Sequence, residues 1–247
     1  MGILVGPGVV AAGRVAELRA LAARVGCGVV NTWGAKGVFR WDDPLHFGTA
    51  GLQARDFELA GLADVDVLVT CGLDPAEVTS EPWLGRAEVI DVPPDDLATV
   101  ELDLPEGTLD RPPLYTALAA VVGPMYEQPG SPPARAAALA AALPERGLVV
   151  AEPGPIGFWI ARTFPTSVPG SVLVPAAGRP QVAWRAAQEA ALQGREVTLV
   201  TAALPGAPIS GVRLEVWDAS EVDLDPAPLV AVAGEIVAWA GVTKDAP

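Results

Sequence analysis

The stretch ILVGPGVVAAGRVAELRALAARVGCGVV, residues 3–30, decides the fold class. It opens on the short apolar run Ile3–Val5, turns at Gly6-Pro7-Gly8, continues as an Ala/Leu/Arg segment from Ala11 to Val25, and ends on a second apolar run, Cys27–Val30. Apolar residues recur at helical spacing in the middle segment, which predicts a helix. The two flanking runs are continuous rather than alternating, as in strands covered on both faces of a parallel sheet. Strand, glycine turn, helix and strand in this order predict a parallel α/β unit.

The same grammar continues outward. A glycine-rich loop, Trp33-Gly34-Ala35-Lys36-Gly37, leads to His46 and Gly48. A short helix is expected over Arg55–Leu62, a strand over Val65–Cys71 ending at Gly72, another strand over Ala87–Val92, and a helix over Leu114–Val122. Residues 125–133 (MYEQPGSPP), with three prolines and a glycine, break every pattern and predict a linker. A second unit follows, with helices expected over Ala134–Leu143, Ile156–Thr163, Gln181–Gln193 and Leu229–Ala240. Its strands are expected over Leu148–Ala151, Val197–Thr201 and Leu214–Trp217. The expectation is an α/β fold of two Rossmann-like parallel-sheet units, residues 1–128 and 134–247.

Composition bounds the function. At 247 residues, 51% hydrophobic and 19% charged, the chain has ample material for a core and is not a disordered one. Mean hydropathy is +0.36, yet no apolar run reaches the ~18–20 residues that span a bilayer. The longest, Leu114–Met125 and Leu229–Val242, are too short, and the second contains Glu235. No basic segment followed by an apolar one opens the chain, so a cytoplasmic protein without a membrane partner is expected. Sixteen basic against thirty acidic residues give −14, a charge that repels phosphate backbones and argues against a nucleic-acid partner. Lys36 and Lys244 are the only lysines, His46 the only histidine and Asn31 the only asparagine. A multi-histidine metal site is thereby excluded. Cys27 and Cys71 lack metal-ligand spacing and are expected as buried thiols.

The central segment carries a resemblance. Residues 48–74, GTAGLQARDFELAGLADVDVLVTCGLD, follow ILVGPG, the Asn31–Gly37 loop with its Lys36-Gly37 pair, and the DDPLHFGTAG segment. In this order and spacing they closely resemble the middle domain of thiamine-diphosphate enzymes of the acetolactate synthase and pyruvate oxidase group, over residues 2–125. More weakly, Val149 through Gly154, Phe158-Trp159, the run from Gly178 to Ala191, and Arg195 through Val200 resemble the start of that family's diphosphate-binding domain.

The departures matter more. The family has Gly-Asp-Gly after this last strand and an Asn further on, which hold Mg²⁺ through a carboxylate and a carbonyl oxygen, as a hard cation prefers. Here the position reads Thr201-Ala202-Ala203, and no asparagine follows Asn31. The second unit is expected to end within 44 residues of that position, and the family's pyrimidine domain, with its cofactor-activating glutamate, is expected to be missing. The resemblance therefore implies a degenerate homologue without autonomous thiamine catalysis, so the chain is not expected to be an enzyme on its own. Thiamine diphosphate with Mg²⁺ is not expected, and no metal or catalytic residue is assigned. Two rivals stand beside this: a subunit of an acetolactate synthase-like lyase or transferase completed by a separate pyrimidine-domain chain, and a structural homo-oligomer.

Candidate ligand contacts lie in the first unit. Gly6 and Gly8 flank a turn whose amides could face an anion, or that is simply tight. Some family members hold the ADP portion of FAD in this domain, so the resemblance implies FAD or an ADP-like molecule here. Thr32, Lys36 and Gly37 lie on a loop at a strand end, where open α/β sheets place ligands. Lys36 reads equally well as a phosphate partner or as a solvated lysine. Gln53 and Arg55 sit at a helix start that lines the family's cleft, or are ordinary surface residues. Gly72 ends a strand and would allow close approach of a ligand. His46 reads as a ligand contact or as a packed histidine bonded to backbone or Asp. Glu152 is expected at a strand end, facing solvent or capping the next helix. The tryptophans, including Trp83, read as core and interface material rather than a base-stacking platform.

Overall fold

The computed structural model describes residues 1–78, 86–101, 107–176 and 179–239. Trp83, Gly178, Ala240 to Val242 and Lys244 lie outside the described residues.

The chain begins with β1 (Gly2–Val5), all four residues buried, and closes its first turn with α1 (Gly8–Ala11) and α2 (Val15–Val25). The single helix expected over Ala11–Val25 is thus two. Gly13, at φ 69°, takes the left-handed conformation that breaks the first and lets the second start in a new direction. β2 runs over Val29–Thr32 rather than Cys27–Val30, because Gly26 (φ 60°) and the Cys27 amide, bonded to the Ala22 carbonyl, still belong to the helix end.

β3 (His46–Ala50) is an additional strand, followed by α3 (Asp56–Leu59), β4 (Val67–Cys71) and β5 (Glu88–Asp91). The helix expected over Arg55–Leu62 is cut at Gly61 (φ 71°) into α3 and a 3-10 turn, Leu62–Asp64. Next come α4 (Pro113–Tyr126), α5 (Pro132–Ala142), β6 (Gly147–Ala151), α6 (Pro155–Thr163), β7 (Val172–Leu173) and α7 (Pro180–Leu192). β8 (Glu196–Thr201), β9 (Val212–Val216) and α8 (Ala227–Ala233) complete the order. α8 stops at Ala233, short of the expected Ala240, because Gly234 at φ 78° turns the chain away.

Two sheets result, ordered β3-β2-β1-β4-β5 and β7-β6-β8-β9, with every neighbouring pair parallel. The strand order reverses between β1 and β4 in the first sheet and between β6 and β8 in the second. Open α/β sheets make their crevices at such points.

Residues 125–133 form less of a linker than their prolines suggest. α4 continues through Pro124 to Tyr126. Pro132 and Pro133 occupy the first positions of α5, where a missing amide costs nothing. Ser131 caps α5 by accepting the Ala134 amide. The two sheets also share one apolar core, in which Phe47, Leu52 and Leu114 meet Phe158, Trp159 and Trp217. The segment after α8 returns to the first unit: the amides of Ala54 and Arg55 donate to the carbonyls of Glu235 and Ala233, and Val237 donates to Leu52. No helix among the described residues is long and apolar enough to cross a membrane.

Candidate functional site

β2 runs into a 3-10 turn at Trp33–Ala35, which delivers Lys36 to the junction of the two units. There the lysine is only 7% exposed. Among the described residues its ammonium makes no hydrogen bond and no ion pair. Burial, and secondarily the charge of Arg162, push its pKa down from 10.5 to about 7. Lys36 lines a cavity of about 250 Å³ between β3, α4 and the end of α6. Trp41, Leu118, Val122, Phe164 and Pro165 give it apolar walls, and Tyr115 and Tyr126 add two rings. No carboxylate lines it.

His46 sits half-buried at the same cavity, with Nδ1 3.3 Å from the Trp41 carbonyl and its ring edge-on to Tyr115 at 6.1 Å. Burial first, then the neighbouring Lys36, holds its pKa below the ordinary histidine value. It is the packed, backbone-bonded histidine of the two sequence readings, although it also touches the cavity.

Arg162, the one charged residue of α6, is buried beside Lys36 but is neutralised. Its Nη2 lies 2.8 Å from Asp56 Oδ2 and 3.1 Å from Gln53 Oε1, while Nη1 donates to the Thr49 carbonyl at 2.7 Å. Asp56 also accepts the amides of Leu52 and Gln53. Gln53 Nε2 donates to the Leu229 and Gly234 carbonyls. Arg162, Asp56 and Gln53 therefore form a clasp between the units. Arg162 Nε is buried without a partner among the described residues.

The sequence candidates divide accordingly. Lys36 borders the cavity, and Gln53 supports it through Arg162. Gly37, at φ 90°, passes so close to the second unit that a Cβ would fall 2.5 Å from the Val168 carbonyl oxygen. Arg55 is exposed and pairs with Glu58 at 2.8 Å. Gly6, Gly8 and Gly72 meet one another at the first sheet's crevice. The Gly6 amide donates to Cys71 and the Gly8 amide to Gly72, both at 2.9 Å. Added Cβ atoms on Gly6 and Gly8 would strike Gly72 backbone at 2.4 and 2.8 Å. Thr32 is buried and donates to Glu77, which also accepts the Gly34 amide. Burial raises the Glu77 pKa from 4.5 to about 7. Amides and hydroxyl that would cradle a phosphate at these strand ends are thus committed to the chain's own acceptors.

Neither cysteine is activated. Burial pushes the Cys71 thiol up to about 12, and Cys27 is raised for the same reason.

The second crevice is closed in the same manner. Glu152 is buried rather than solvent-facing, because it reaches across to β8. It accepts from the Thr201 hydroxyl, the Ala202 amide (3.0 Å) and Trp184 Nε1 (2.7 Å). Both its oxygens are occupied at the position where the resemblance places a diphosphate and its cation. Among the described residues no group of three His, Cys, Asp or Glu side chains is placed to hold a metal. These residues do not fit Mg²⁺-thiamine diphosphate.

Sequence reading had missed Arg162, Glu77 and the two tyrosines. A lone arginine in the apolar run Pro155–Thr163 was the available signal for the first; nothing local marked the others.

Three comparisons place the chain. No curated protein matches it. A solved structure of a candidate thiamin diphosphate-dependent enzyme from Mycobacterium smegmatis is similar at a TM-score of 0.53 and 16% identity, over 80% of this chain and 44% of that one. The chain therefore spans less than half the length of that protein, and the likeness is one of fold. Residues 1–106, which make up most of the five-stranded α/β unit that opens the chain, match the family model described as thiamine pyrophosphate enzyme, central domain.

Proposed function

We propose that this chain is a degenerate relative of the thiamine-diphosphate enzymes, without thiamine catalysis of its own, that works by binding a small molecule. The observation that carries this is the closure of the second crevice. Glu152 is a negative charge at the place a diphosphate would need positive charge or metal, and its oxygens are already engaged by Thr201, Ala202 and Trp184. Freeing them would leave the Ala202 amide and the Trp184 indole N–H without acceptors. The first crevice supports the same reading, since the Gly6 and Gly8 amides are spent within the chain. The cavity at Lys36, by contrast, is open and holds a cation with no partner among the described residues.

Calorimetric titration of the purified chain with thiamine diphosphate and Mg²⁺, and separately with FAD and ADP, tests this. The expected result is no Mg²⁺-dependent thiamine diphosphate binding and no acetolactate formed from pyruvate. Tight Mg²⁺-dependent binding would overturn the reading and favour an enzyme subunit.

A further inference from the structure

We propose that the cavity at the junction of the two units is a binding site for a small monocarboxylate with an apolar or aromatic body, whose carboxylate pairs with Lys36. The charge count sets the valence. Lys36 and Arg162 are the cations nearest the cavity's polar end, and Arg162 is already matched by Asp56 at 2.8 Å. One buried positive charge is left over, and it faces a space lined by no carboxylate. The remaining titratable groups there are His46, held neutral by its surroundings, and the hydroxyls of Tyr115 and Tyr126. Tyr126 already donates to the Thr163 carbonyl.

The walls set the body. Leu118, Val122 and Phe164 offer no hydrogen-bond partner for a sugar or a second charged group, and Trp41 adds an aromatic ring. At about 250 Å³ the space lies below that taken by drug-sized ligands. A buried ammonium without a partner is costly unless a counter-charge arrives, so the fold stores in Lys36 a preference for an anion. Arg162 also lines the cavity, but its Nη1 and Nη2 groups are already committed to Thr49, Gln53 and Asp56.

This site is independent of the thiamine question, because its residues are separate from Glu152 and Thr201. The test is titration of the full chain with phenylacetate, with the neutral phenylacetamide as control, in two buffers of different ionisation enthalpy. Phenylacetate is expected to bind one to one and phenylacetamide at least tenfold more weakly. Pairing favours the charged lysine, whose free pKa is about 7, so binding at pH 8 takes up a proton and at pH 6 does not. Affinity therefore falls as pH rises above 7. Lys36→Met should lose at least tenfold in affinity together with the proton uptake. Ala119→Trp, at an exposed position on the cavity rim, should block binding with Lys36 intact. Equal binding of acid and amide, unchanged affinity in Lys36→Met, or no phenylacetate binding at millimolar concentration would each overturn the proposal, whatever thiamine diphosphate does.

Discussion

Replacing Lys36 by Met should make the protein more stable, and by an amount that depends on pH in a fixed direction. The substitution keeps an unbranched side chain of similar length and removes the ammonium from a position only 7% exposed. The shift from 10.5 to about 7, at 1.36 kcal/mol per unit, corresponds to about 5 kcal/mol between the two protonation states. Between those pH values the unfolded chain holds a proton that the folded chain has given up, so wild-type stability rises with pH across this window. Below pH 7 the lysine is charged in both states and the folded protein carries the whole cost. At pH 6 Lys36→Met should therefore gain about 3–5 kcal/mol, allowing for relaxation around the charge. In a chain of this size that is a rise in Tm of roughly 6–20 °C. The gain should shrink steadily from pH 7 to pH 10. Thermal and urea unfolding of both proteins at pH 6, 8 and 9.5 is the assay. A variant that is less stable at pH 6, or a difference that does not change with pH, would refute the claim that this ammonium is buried without a partner.

Three further outcomes follow from neighbouring groups. Glu77→Gln keeps an acceptor for Thr32 and Gly34 but removes a carboxyl whose folded pKa is raised from 4.5 to about 7. The stability contributed by the neutral acid is present below pH 4.5 and lost as pH rises through 7, so the variant should match wild type at pH 4.5 and exceed it by about 2–3 kcal/mol at pH 8 in urea titrations. Asp56→Ala strands Arg162 and two backbone amides, and should cost about 3–5 kcal/mol in the same assay. Glu152→Ala should cost about 2–4 kcal/mol by orphaning the Ala202 amide and the Trp184 indole N–H, and should shift Trp184 fluorescence because that indole loses its carboxylate.

The fold was legible where sequence and burial coincide. Ile3–Val5 and Leu148–Ala151 are apolar throughout because parallel strands are covered on both faces. β3 was hidden because HFGTA mixes a histidine, a threonine and a glycine at φ 125° into a strand paired on one side to β2. Residues 125–133 misled because proline at the first turn of a helix looks, without its partners, like proline in a linker. For the site, the rarity of lysine singled out Lys36, but its burial depends on α4 and α6, whose residues lie more than seventy positions away. Gly6-Pro7-Gly8 has the spacing of an anion-facing turn; that its amides are spent on Cys71 and Gly72 is a fact of β4, not of the turn.

The return of the chain's last described segment to Leu52, Ala54 and Arg55 has a consequence for synthesis. Residues 1–106, the part that matches a central domain, leave the ribosome well before their partners at 233–237 exist. Until then Gln53 lacks the Leu229 and Gly234 carbonyls, Asp56 lacks Arg162, and the apolar surface destined for the shared core faces solvent. N-terminal units ordinarily fold first as a chain is made. This one holds the core around α2 within its own residues, so what waits for the far end of the polypeptide is its opposite face, left to solvent and to chaperones in the meantime.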